Sequence, residues 1–318
     1  MNQKQLYILM FLLMAIVVIQ NRPKIIEPRS DVAPTGQASG SEAMNPYIDM
    51  VADKNAPYQL GIALSGGGAK GFCHAGVLKA LEENGIKPDV LAGVSAGAVV
   101  AALYADGYSP DSIIGLFQHA RYRNYIRFGF SDGGFFSMDG FKAFLDTVLR
   151  AKTFEELAIP LRVVATDLDK GQSVVFDKGN LVDALVASCS VPILFTPYTI
   201  DGVNYVDGGV LQNLPAFAIR KDCKVLLGVS TGPMKNSSYE KTISDIALRS
   251  YKFIFRNNTR YAKKMCDYVI EPADMNQYSG ADVLDYKRIF NLGYTETKRL
   301  VQNDTVMRLL KGKMQPKK

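Results

Sequence analysis

YQLGIALSGGGAKGFCHAGVLKALEENGIKPDVLAGVSAGAVVAALY, residues Tyr58–Tyr104, holds two glycine-rich corners. They are Gly66-Gly67-Gly68-Ala69-Lys70-Gly71 and Gly93-Val94-Ser95-Ala96-Gly97. Each follows a short apolar run of strand character and precedes an apolar-periodic run of helix character. Strands are expected at Tyr58–Ser65 and Val90–Val94, and helices at Phe72–Asn84, closed by Gly85, and Ala96–Tyr104. The second corner fits G-x-S-x-G, a sharp strand-to-helix turn that pushes a serine hydroxyl out of the backbone. Glycine flanks Ser95 because a Cβ at either position would collide with the neighbouring strand or helix. The first corner offers unhindered backbone N–H groups beside a helix N-terminus, which is what a developing oxyanion needs. Together the corners point to acyl-transfer chemistry.

Downstream, the alternation of strand and helix continues. Pro110 stands at the first position of a helix capped by Ser109. Leu161–Asp167 and Ser173–Phe176 read as a hairpin around Asp169-Lys170-Gly171. Leu181–Ser188 reads as a helix, and Tyr205-Val206-Asp207-Gly208-Gly209 as a strand ending in a turn. Lys224–Ser230 reads as a buried strand. From about Glu240 to Met265, Ile243, Ile246, Ala247, Ser250, Ile254, Tyr261 and Met265 hold one helical face. Arg249, Lys252, Arg256, Arg260, Lys263 and Lys264 lie elsewhere on it, as a solvated outer face or one drawn to a membrane surface. This order argues an α/β fold: a three-layer α/β/α sandwich around a mostly parallel sheet. Residues 120–138 break the pattern with aromatics and Arg121, Arg123 and Arg127, as a surface loop or as a lipid-facing flap.

Upstream, Leu6–Ile19 is an uninterrupted apolar run of fourteen residues, short for a spanning helix and typical of a signal-peptide core. No A-x-A site follows it. An uncleaved anchor, a cleaved export signal and a buried helix are the three readings. Residues 21–57, rich in Pro, Gly, Ser and Ala, read as a flexible tether. The expected organisation is therefore a hydrophobic segment at 1–20, a linker at 21–57, one domain at 58–304 and a basic tail at 305–318. The segment implies attachment to a membrane, with the side left open. The net charge of +6 suits an anionic membrane surface and is too weak to argue nucleic acid. Cys73, Cys189, Cys223 and Cys266 are widely spaced without a CxxC pair, which favours buried free thiols over zinc or a disulfide scaffold. No EF-hand-type loop and no His/Cys cluster is present, so no metal or cofactor is implied.

A serine hydroxyl needs a base. The chain has two histidines, His74 and His119, and none follows Asp207. The Ser, acid, His order of α/β-hydrolases therefore fails. His74 stands where it could organise the glycine corner, and His119 ends a helix. A serine paired directly with a carboxylate remains. Gly66-x-Gly68-x-x-Gly71 also fits a dinucleotide fingerprint, with Asp89 near the ribose-acid distance. Asp89 precedes the second strand instead of ending it, and that reading leaves the serine elbow unexplained. A P-loop is excluded because no Gly-Lys-Ser/Thr follows.

Four blocks carry a resemblance. They are Gly66 to Gly71, Gly93 to Gly97, Ala187-Ser188-Cys189-Ser190-Val191-Pro192 (A-S-x-x-x-P), and Asp207-Gly208-Gly209 followed by Asn213-Leu214-Pro215. In this order over roughly residues 58 to 300, they resemble the patatin-like phospholipase family, in particular its bacterial branch similar to neuropathy target esterase. The resemblance implies Ser95 as nucleophile and Asp207 as general base of a Ser-Asp dyad. It implies an oxyanion hole at Gly66, Gly67 and Gly68, with Lys70 beside it. Gly71, Gly93, Gly97, Gly208 and Gly209 complete the motifs. The implied activity is hydrolysis of phospholipid or lysophospholipid acyl esters at a membrane surface. A catalytically idle lipid-binding protein on the same fold is the alternative.

Overall fold

The computed structural model describes residues 50–118, 137–232 and 243–312. The apolar run at Leu6–Ile19, the tether up to residue 49, His119, the flap residues 120–136 and residues 313–318 of the tail expected at 305–318 lie outside the described residues; the first part of that tail is helical over Asp304–Leu310, with Val306, Leu309 and Leu310 buried. Among the described residues, no helix is long and apolar enough to cross a membrane.

Eight strands form one sheet: β1 (Tyr58–Leu64), β2 (Val90–Gly93), β3 (Leu161–Asp167), β4 (Gln172–Phe176), β5 (Tyr198–Ile200), β6 (Val203–Asp207), β7 (Cys223–Val229) and β8 (Tyr268–Ile270). Their order is β5-β6-β3-β2-β1-β7-β8, with β4 also pairing β3. β1 lies parallel between β2 and β7, and β3 and β8 extend that parallel centre on either side. The β4 and β6 partners of β3 are antiparallel, as is β5 on β6. The centre is parallel because a helix or longer connection intervenes between its strands. β3 and β4 are joined tightly enough to run antiparallel, turning at Gly171 with φ +64°.

The sheet is buried on both faces, which is why its central strands read as continuous apolar runs. Leu60, Ile62 and Leu64 of β1, Leu91, Val163, Val225, Leu227 and Val229 face one core. Ala63, Val90, Ala92, Val164 and Leu226 face the other. The first layer is built from α1 (Phe72–Glu83), α2 (Ala96–Ala105), α3 (Pro110–Gln118), α4 (Asp139–Val148), α5 (Leu181–Cys189), α8 (Tyr286–Val301) and α9 (Asp304–Leu310). The opposite layer holds the segment Leu214–Ile219, which follows the short α6 (Gly209–Gln212), and α7 (Ile243–Lys264) through Ala262, with Met265 just after it.

The expected strands and helices are present, each shifted by a few residues at most. Six elements escaped the sequence reading: α4, β5, α6, β8, α8 and α9. β5 and β8 are three residues each, too short to show a period. α8 crosses α1 at two glycines. A Cβ on Gly76 would sit 2.0 Å from the Phe290 carbonyl oxygen, and one on Gly293 would sit 2.2 Å from that of Cys73. The approach of α8 brings the preceding loop onto the first glycine corner, where Ala69 N–H donates to Gly280 O at 2.8 Å.

Candidate active site

β2 ends at Gly93 and α2 begins at Ala96, so Ser95 occupies the corner between them. Its backbone is left-handed, φ 53° and ψ −127°, a conformation that costs a non-glycine residue about 1–3 kcal/mol. The flanking glycines make the corner possible. A Cβ on Gly93 would lie 2.4 Å from Ala98 Cα, and one on Gly97 would lie 2.4 Å from Leu64 O. Ser95 N–H donates to Ser188 Oγ at 2.9 Å, and that hydroxyl donates to Val164 O of β3 at 2.7 Å.

Asp207 ends β6 opposite Ala165 of β3. Its N–H donates to Ser190 O at 2.9 Å, and its carbonyl accepts from Thr166 Oγ1 at 3.2 Å. Gly209 N–H donates to Asp207 Oδ1 at 2.7 Å. A Cβ on Gly208 would lie 2.2 Å from Val164 O, which explains the glycine after the aspartate. Val164 to Thr166 of β3 thus hold both halves of the site, one through Ser188 and the other directly. That shared strand brings together two residues more than a hundred positions apart.

The Ser95 side chain lies close enough to the Asp207 carboxyl to favour its charged form. Ser95 is 8% exposed and Asp207 2%. Burial pushes the Asp207 carboxyl from 3.8 up to about 6, against the pull of the Ser95 hydroxyl and the Gly209 N–H. A carboxylate with that affinity for protons is a stronger base than an exposed aspartate and is still ionised near neutral pH. The Cys189 thiol also reaches Ser95, but burial and the Asp207 charge raise its pKa well above 9.0, which keeps it protonated.

The glycine corner lies against the serine: a Cβ on Gly66 would be 3.2 Å from Ser95 Cβ. Gly66 N–H, expected in the oxyanion hole, is engaged by Asn213 O at 3.1 Å. That corrects the expected set of three donors, because a committed amide cannot turn to a ligand. Among the described residues no hydrogen bond engages the N–H of Gly67 or Gly68, and these two remain as donors. The loop is braced by Thr231 Oγ1 donating to Gly66 O at 2.7 Å and by Lys70 N–H donating to Gly67 O at 3.3 Å. His74 is fully buried on α1, with Nε2 at 2.7 Å from Ser65 O. A carbonyl only accepts, so Nε2 carries the proton. Burial lowers the His74 pKa to about 4, so the ring is neutral and positions the corner from below. The four cysteines are free, three of them buried. A depression lined by Tyr58, Val90, Phe154 and Arg162 lies at the amino ends of β1, β2 and β3, the opposite edge of the sheet from Ser95.

Three residues in this site were given no role by the sequence, although Ser188 and Asn213 lie within its motif blocks. Ser188, within the A-S-x-x-x-P block, orients the nucleophile's backbone. Asn213 joins the aspartate turn to the glycine corner. Asn258 of α7 holds that turn from outside: its Oδ1 accepts from Asn213 N–H at 3.1 Å and its Nδ2 donates to Gly209 O at 2.9 Å. Asn258→Ala would free both groups at once. It is expected to lower kcat about tenfold with little change in KM, and stability by about 1–3 kcal/mol. Steady-state kinetics and urea unfolding check this, and an unchanged kcat would show that the turn holds itself.

Comparison with known proteins gives the family. The family model for patatin-like phospholipase matches residues 62–219, which include both corners and Asp207. YqhO of Bacillus subtilis is 30% identical over 213 residues, covering 56% of this chain and 73% of that protein. The chain belongs to the patatin-like phospholipase family. An NTE family protein of Mycobacterium tuberculosis is 34% identical over 160 residues, covering 49% of this chain and 44% of that protein. The protein named Lysophospholipase NTE1 of Eremothecium gossypii is 30% identical over 185 residues, covering 54% of this chain and 12% of that protein. This chain thus spans less than half the length of those two family members.

Proposed function

We propose that this chain is a serine lipid acyl hydrolase of the phospholipase A or lysophospholipase type. The observation that carries the reading is the closeness of Ser95, strained at its corner, to the buried carboxyl of Asp207. Membership of the patatin-like phospholipase family supports the lipid ester as substrate class.

In this mechanism Ser95 Oγ attacks the ester carbonyl carbon while its proton passes to the Asp207 carboxylate. The carbonyl oxygen gathers negative charge and is met by the Gly67 and Gly68 N–H groups. Collapse expels the alcohol, which takes the proton from Asp207, and leaves an acyl-serine. Asp207 then removes a proton from water, which attacks the acyl carbon and releases the fatty acid. Each proton taken is returned, so the dyad ends as it began. The strain at Ser95 keeps its hydroxyl projecting and leaves little side-chain freedom to be lost at the transition state.

Incubation of the full chain with a mixed bacterial lipid extract, followed by mass spectrometry, is the test. Fatty acid released together with lysophospholipid or glycerophosphodiester is the expected result. An unchanged lipid profile would overturn the reading.

A further inference from the structure

α7 has two faces with different tasks. The inner face carries Phe255, Asn258, Thr259 and Ala262. Of these, Asn258 holds the turn after Asp207, and Phe255 is packed against Gly209. The outer face carries Ile246 and Phe253, each 48% exposed, with Arg260 and Lys264 exposed along the same line. Their spacing of seven, seven and four residues keeps them on one side of a helix with 3.6 residues per turn. Ile254 and Arg256, also exposed, flank this line. The Arg249 guanidinium lies 5.7 Å from the centre of the Phe253 ring. Over its whole length α7 has six basic residues and one acidic residue. Lys263 is not part of this outward line: it is turned to Glu271 at 2.5 Å.

We propose that the outer face of α7 is the surface by which this protein docks on an anionic lipid bilayer, a proposal that rests on the lipid-hydrolase reading above. The chemistry selects among occupants. Apolar side chains set among exposed arginines fit the boundary between acyl chains and anionic headgroups. A second copy of the same face would set two rows of like charge against each other. A nucleic acid would pair with the arginines but leave Ile246, Phe253 and Ile254 in water. Docking through this face places the aspartate turn one helix thickness, about 10 Å, behind the lipid surface. The helix that meets the substrate phase is then the helix that fixes the base.

Flotation of the full-length Ser95→Ala protein with vesicles tests this without turnover, against vesicles of phosphatidylcholine alone and of phosphatidylcholine with phosphatidylglycerol. Binding is expected to be stronger to the anionic vesicles. Arg256→Glu with Arg260→Glu should weaken that preference by about tenfold or more, given roughly a fivefold contribution per basic side chain at such a surface. Phe253→Ser should weaken binding to both kinds of vesicle. In the Ser95 background, the same variants should keep hydrolysis of soluble p-nitrophenyl butyrate within about twofold while losing rate on anionic vesicles. Variants that float like the parent would overturn the proposal. So would equal binding to both lipids, or a dimer or DNA complex abolished by the arginine reversals. Vesicle binding that follows these expectations in a protein that cleaves no ester leaves the docking face standing and removes the hydrolase reading instead.

Discussion

Ser95→Ala is expected to lower kcat for p-nitrophenyl acyl esters by on the order of 10³–10⁶ while the protein stays folded. The hydroxyl is the atom that would form the acyl bond, and no neighbour replaces it. Cys189, whose thiol reaches Ser95, is held protonated by burial and by the Asp207 charge. His74 is buried beneath the corner with its donor nitrogen committed to Ser65 O. The substitution leaves the backbone N–H to Ser188 Oγ and both flanking glycines in place, so the corner survives. A fluorophosphonate probe should label the parent at Ser95 and leave the variant unlabelled. Any residual rate would come from the Gly67 and Gly68 amides and from substrate binding. A variant with undiminished hydrolysis would remove Ser95 from the reaction.

Asp207→Asn is expected to cut kcat/KM by about 10²–10⁴-fold and, unusually for an active-site change, to stabilise the protein at neutral pH. The amide can still accept from Gly209 N–H, so the turn is preserved, but it cannot take a proton from Ser95. The stability sign follows from the raised pKa. The folded state holds the Asp207 proton up to about pH 6, whereas an unfolded chain releases it near 3.8. Between those values the unfolded state binds fewer protons, so the Asp207 contribution to stability declines as pH rises through this window. The loss at pH 7 is at most about 3 kcal/mol, and asparagine avoids it. Denaturation at pH 4 and pH 7.5 should show a variant advantage that grows with pH. In the parent, kcat/KM should rise through about pH 6 to a plateau, because the base must be ionised to accept the serine proton. A flat profile across that range would mean that Asp207 is not the group whose ionisation governs the rate.

Stability and activity therefore pull in opposite directions at this site. The protein keeps a carboxylate where burial disfavours its charge, and a serine where the backbone disfavours a side chain. Both costs are met by surroundings that overdetermine the geometry: Ser188 and Val164 on one side, Gly209 and Ser190 on the other.

The sequence by itself determined the two corners and the strands that feed them. Glycines at Gly93, Gly97 and Gly208 mark places where a Cβ would strike backbone, and such steric demands are local enough to read from residue types. The run of apolar strands separated by helical periods likewise announced a sheet buried on both faces. Tertiary structure alone decided what meets what. Chain order gives no hint that β6 folds back antiparallel beside β3, yet that pairing is what sets Asp207 opposite Ala165. Nor does it show that Gly66 N–H is spent on Asn213, or that α7 reaches across to hold the same turn through Asn258. These contacts link residues tens to hundreds of positions apart, and each depends on a donor finding an acceptor that another segment delivers. Local preference reads the corners, while only the packed layers select their partners.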